Sequence, residues 1–263
     1  MMNEFRLYGR YLRMHFLSSL QYKGWWIMCV QTLVVVLTDP LGTILMFSRF
    51  GGIGEWSMER ILLMYAMAVT SFGLAESFMR GFDYFPFHMV RDGGFDRLLV
   101  RPRSTVVQVA ASVFHVHRLS RPVSGLAAVC WCLYRLNISM SVGQTALLVS
   151  ALAGGFVMYS GVFILASGIS FFSVKSVDLV YLFTNAGYQV TRIPIDLMPR
   201  ILRYGFTFLL PMLVISYYPA SVICGWGEPL WKALLALPAG LTFYAASFAM
   251  WRVGVRHYNS TGS

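Results

Sequence analysis

The chain has 263 residues, 57% of them hydrophobic and 12% charged, with a formal net charge of +10. Soluble domains carry about 25% charged residues, so an ordinary water-soluble domain is excluded and an all-α, polytopic membrane protein is predicted. The positive balance does not point to nucleic acid, because the arginines and lysines gather beside apolar runs, where they report orientation in a bilayer.

Residues 1–24 form a polar, basic segment carrying Arg6, Arg10, Arg13 and Lys23. The apolar run that begins at Trp25 and passes Phe47 exceeds the roughly 7–15 residue core of a cleavable signal peptide, and no small-x-small cleavage site follows it. It reads as a retained first span, Trp25–Phe47. Asp39-Pro40 interrupts that span; the acid either satisfies backbone that proline frees or faces a translocation path. A Gly-rich outer loop (Gly51, Gly52, Gly54) with Glu55, Glu59 and Arg60 leads to a second span, Ile61–Met79. Glu76, the other acid within a span, lies four residues before Arg80, a favourable local ion pair that argues against a proton relay.

Residues 80–121 are the only long polar stretch inside the chain and carry Arg80, Arg91, Arg97, Arg101, Arg103, Arg118 and Arg121. Asp92-Gly93-Gly94 predicts a turn, and Phe95–Val100 a short amphipathic helix that Pro102 stops. Ser104–His117 resembles an interfacial helix. On such a helix His115 and His117 would project about 200° apart, which argues against a shared metal.

Further spans are predicted at Pro122–Ile138, Gly143–Gly168, Val177–Thr191 and Trp231–Trp251, making about six in all. Val142–Val174 alone runs 33 residues without an Asp, Glu, Lys or Arg. Basic loops should face the cytoplasm, which places residues 1–24, 80–121 and the tail with Arg252 and Arg256 on one side. Five apolar candidates lie between the basic loop and the tail, so one must fail to cross. Tyr204–Gly227 is the best suspect, because Pro211 and Pro219 break it into halves too short to span. An outer re-entrant helical hairpin within residues 192–230 is expected, surrounded by protein or lining a path; the rival is that the short Val177–Thr191 fails instead. The four cysteines (Cys29, Cys130, Cys132, Cys224) sit in apolar runs without metal spacing and read as buried thiols.

Chemistry in this chain is hard to find. None of its three lysines, Lys23, Lys175 and Lys232, ends a Gly-rich phosphate loop, so nucleotide hydrolysis would require another chain. Gly168-Ile169-Ser170 lacks a supporting histidine for proteolysis, His257 being in the tail.

The loop sequence Gly94-Phe95-Asp96-Arg97-Leu98-Leu99-Val100-Arg101-Pro102, with Leu210-Pro211 and Tyr217-Tyr218-Pro219-Ala220 farther on, resembles the permease subunits of type-2 bacterial ABC exporters, within them an uncharacterised transport-permease branch. Together with the span pattern the resemblance covers nearly the whole chain. It implies one six-span permease domain in the cytoplasmic (inner) membrane, both termini cytoplasmic, with a cytoplasmic coupling helix between spans 2 and 3 that docks on a separate ABC ATPase subunit. ATP and Mg would bind that partner and no cofactor this chain. A second permease, identical or related, would complete the transporter. Phe95, Leu98 and Leu99 would give the ATPase apolar contacts, and Arg91, Arg97, Arg101 and Arg103 would meet its acidic surface or anionic lipid. One departure is Ile193 before Pro194, where the family pattern has Tyr. A stand-alone carrier or channel is the alternative reading.

Overall fold

The computed structural model describes residues 4–21, 23–38, 40–50, 56–173, 189–193 and 195–258, and its regular elements are helices. Asp39, Glu55, Pro194 and residues 177–188 of the expected fifth span lie outside the described residues.

Helices α1 (Glu4–Gln21) and α2 (Trp25–Thr38) run at 101° to one another. The Tyr8 hydroxyl of α1 donates to the Phe78 carbonyl at 2.6 Å, fastening the first helix to the end of the fourth. The predicted first span is two helices, because Pro40 opens α3 (Leu41–Phe50): its carbonyl accepts from the Ile44 amide at 3.0 Å. Helix α4 (Met58–Phe78) starts at the Ser57 cap, whose hydroxyl accepts from the Arg60 amide at 3.4 Å, so Glu59 and Arg60 belong to a helical first turn rather than to a loop. It forms the centre of the molecule, with 89% of its apolar window buried.

Beyond α4 the chain turns through α5 (Gly81–Phe85), a π-type turn (Pro86–Arg91), α6 (Asp96–Leu99) and α7 (Thr105–Ala110). The predicted interfacial helix therefore stops at Ala110, and residues 113–115 precede a 3-10 turn, Val116–Leu119. Helix α8 (Ser120–Arg135) returns along α4 at close range: a Cβ on Gly125 would lie 2.6 Å from Thr70 Oγ1, and one on Gly73 2.8 Å from Pro122. Helix α9 (Val142–Ser170) begins in a capping box, with Gln144 N donating to Ser141 Oγ and Ser141 N to Gln144 Oε1. After the short α10 (Arg200–Tyr204), α11 (Met212–Ile215), α12 (Tyr217–Cys224) and α13 (Leu230–Leu234), the last helix, α14 (Ala236–His257), lies against α9.

Small residues make that last pairing possible. Gly154, Gly161 and Gly168 recur at intervals of seven on α9 and meet Gly240, Ser247 and Gly254 at the same intervals on α14. A Cβ on Gly240 would come within 2.2 Å of the Gly154 carbonyl oxygen. Lipid tails are as apolar as Leu, so helices inside a bilayer associate by close packing of this kind. Numbers rise together along both partners, so α9 and α14 are parallel.

Three described helices are long and apolar enough to cross a membrane, Met58–Phe78, Val142–Ser170 and Leu230–His257; two bent pairs, Arg6–Gln21 with Trp25–Thr38 and Arg200–Leu209 with Met212–Cys224, raise the number to five if each counts as one span. The expected count of six is not reached among the described residues. Helix α8, at 16 residues, rises only about 24 Å. The cysteine expectation holds for Cys132, which is buried; Cys29 and Cys224 are half-buried and Cys130 points outward from α8.

Candidate functional site

The loop between α4 and α8 folds back onto the ends of α9 and α14, at what is here termed the basic end. Gly93 turns the chain at φ +71°, and Gly94 passes so near the π-type turn that a Cβ would sit 2.6 Å from the His88 carbonyl oxygen. Phe95 N then donates to the Met89 carbonyl at 3.0 Å. This tight entry drives the Phe95 ring inward. Its centroid lies 5.2 Å from Phe85, 5.3 Å from Phe171 and 5.1 Å from Tyr258, and Trp251 packs against the same group.

Phe95 is fully buried and Leu98 nearly so, whereas Leu99 is 43% and Val100 82% exposed. The expectation that Phe95 and Leu98 present apolar surface to a partner is corrected: they anchor α6 to the helical body, because a four-residue helix can face the core along only one side. The outward side carries Leu99, Val100 and Pro102, flanked by exposed Arg97 and Arg101. Asp96, half-buried, faces the Tyr258 phenol, whose pKa burial raises first and this carboxylate second.

A second tether holds the loop from below. The buried Gln108 amide donates to the Leu98 carbonyl at 3.4 Å and to the Arg103 carbonyl at 3.2 Å. Helix α7 lies directly on Gly81, where a Cβ would fall 1.7 Å from the Val109 carbonyl oxygen. Ser167 of α9 donates to the Phe82 carbonyl at 2.6 Å. The loop is thus joined to α5, α9 and α14.

Glu76 makes the expected pair with Arg80, at 3.0 Å, but two further arginines close on it: Arg118 Nη1 donates at 2.5 Å and Arg121 Nη1 at 2.9 Å. Arg80 also meets Asp83 at 2.5 Å. This buried carboxylate pins the start of α8 and the preceding turn to the end of α4. Charge-assisted, multiply bonded pairs are the form in which a buried acid is tolerated. Nothing in the local sequence around Glu76 announced the two distant partners.

The opposite end is built on Trp56, which contacts Tyr217 and Trp226 and whose indole N–H donates to Asp196 Oδ2 at 3.0 Å. Gln144, at the start of α9, donates to the Ile223 carbonyl at 3.1 Å. Between these two ends of the bent pair, Pro211 starts α11 and Ile215 reaches Gly155 in the middle of α9; the two halves meet at 72°. Tyr218 stacks edge-on with Tyr217, and Pro219 is buried in α12.

His115 and His117 are not divergent. His115 precedes the 3-10 turn and His117 lies within it, so they do not share the expected helix, and their rings stack at 5.3 Å. No three His, Cys, Asp or Glu side chains among the described residues come together in a way that could hold a metal ion.

The sequence model of the family described as ABC-2 family transporter protein matches residues 33–262. No curated protein and no solved structure matches the chain.

Proposed function

We propose that this chain, which belongs to the ABC-2 transporter family, is the membrane permease of an ATP-driven exporter and that the outer side of α6 docks on a separate ATPase subunit. The observation that carries the reading is the construction of α6. Its exposed Leu99 and Val100 offer a contact, while Phe95 ties the same four-residue element to the ends of α9 and α14. A push on the outer side reaches two long helices through one ring.

ATP and Mg belong to the partner. Closure of the ATPase subunits moves α6, α6 moves the ends of α9 and α14, and the rocking spans open the far end. There the bent pair acts as a re-entrant hairpin: Asp196 precedes it and Trp226 follows it, both against Trp56, while Ile215 dips about 16 Å along α9 from the level of Gln144. Because α9 and α14 are parallel, the chain between them crosses from one end to the other an odd number of times, which a hairpin that enters and leaves on one side satisfies together with one crossing elsewhere. The basic end faces the cytoplasm of a bacterial inner membrane, an orientation that its gathered arginines support. A second permease, identical or related, covers exposed lateral surface: only 22% of the apolar window of the last span is buried.

Purification from the native membrane in mild detergent, with mass spectrometry and an ATPase assay, tests the reading. Recovery of a nucleotide-binding subunit in defined proportion supports it. A chain that is repeatedly recovered alone and that transports under an ion gradient after reconstitution would make it a carrier instead.

A further inference from the structure

A cavity of about 620 Å³ opens beside the arginine cluster, between α1, the start of α2 and residues 112–118. Its polar wall carries His15, His115, His117 and Arg118 and, among the described residues, no carboxylate; its apolar wall includes Trp25 and Met28. Behind it, the guanidinium groups of Arg80, Arg118 and Arg121 close on the carboxylates of Glu76 and Asp83. Arg118 spends Nη1 on Glu76, while its buried Nε has no hydrogen-bond partner among the described residues. Burial first, and then the charges of Arg118 and its neighbours, hold both His115 and His117 below the ordinary histidine range. A concavity lined by imidazole and guanidinium groups is what an anion complements.

The cavity also has a defined level. Trp25 and Trp26 open the first apolar run, where aromatic side chains sit at the headgroup boundary, and α1 turns away at 101° with Arg6, Arg10 and Arg13 among exposed Met14, Phe16 and Leu17. We propose that this cavity binds a phosphate group between His115, His117 and Arg118, presented by an anionic lipid whose apolar portion lies along Trp25 and Met28. The site is independent of ATPase docking, since it lies on the α1 side of the loop and shares no residue with α6.

Native mass spectrometry of the purified permease, with whatever subunits accompany it, tests the proposal against phosphatidic acid, phosphatidylcholine and inorganic phosphate. The fold-preserving double substitution His115→Gln with His117→Gln removes two ligands without touching the Glu76 cluster, and its melting temperature in phosphatidylcholine verifies folding. The native chain retains phosphatidic acid in preference to phosphatidylcholine, and the double variant loses about tenfold in apparent affinity for it. Inorganic phosphate binding with the same histidine dependence would support the anion site with free phosphate as its source. Equal retention of phosphatidic acid by both chains, or no preference by the native chain and no response to phosphate, would overturn the proposal.

Discussion

Glu76 shows how one residue organises the basic end. Removing its charge leaves Arg80, Arg118 and Arg121 facing one another in a partly buried site. Glu76→Gln is therefore expected to cost roughly 3 kcal/mol and to appear as a lower melting temperature in detergent, with loss of assembled protein. Glu76 with Arg80 was legible in the sequence because i, i+4 pairs are local; Arg118 and Arg121 were not, since only the fold brings residues more than forty apart to the same carboxylate. The histidines carry a pH dependence of definite sign. Their folded pKa values lie below the ordinary one, so the unfolded chain binds those protons more readily. Stability is then full above about pH 6.5 and declines as pH falls below that value. Melting temperatures between about pH 7.5 and about pH 5.5 should fall more steeply for the native chain than for the His115→Gln, His117→Gln variant. His15, Arg80, Arg118 and Glu76 surround the pair and are the same in both chains.

At the scale of elements, the α9 and α14 pairing depends on glycine spacing. Gly240→Leu forces a side chain into the Gly154 carbonyl and should cost about 3 kcal/mol or more, read as loss of monodisperse protein, whereas Gly205→Leu, with nothing within 4 Å of its Cβ position, should be tolerated. Each helix was legible from its uncharged length, but the pairing was not, because small residues spaced seven apart in two separate segments acquire meaning only once they are side by side. The short helix expected at Phe95–Val100 is present as α6, but the sequence did not show its orientation: the pattern of Phe95, Leu98 and Leu99 marks an amphipathic helix without saying which face meets the body. The difference predicts distinct phenotypes. Leu99→Glu with Val100→Glu should leave a folded membrane protein that no longer retains the ATPase in co-purification. Phe95→Ala opens the aromatic cluster and should cost roughly 3–5 kcal/mol in stability.

For the molecule as a whole, two ends with different construction are joined by α4, α9 and α14. One end is cationic and bears the loop anchored by Phe95; the other holds the bent pair over Trp56. The membrane class and the long apolar helices were legible because lipid imposes length and polarity directly on sequence. The broken first span was signalled by Asp39-Pro40, yet its division into α2 and α3 required the chain's own turn at Pro40. If the bent pair is re-entrant, single cysteines at Ile201 and Trp226 in a cysteine-free background should both be labelled from outside the cell by an impermeant reagent; labelling of the two from opposite sides would make the pair a span.

The most direct measurement is photo-crosslinking from position 100 in native membranes. With a benzophenone side chain in place of Val100, the predicted adduct is a nucleotide-binding ATPase subunit, formed also in intact cells and lost when Leu99 is changed to Glu. Adducts confined to lipid or to the chain itself, with the ATPase present in the same membranes, would contradict the account.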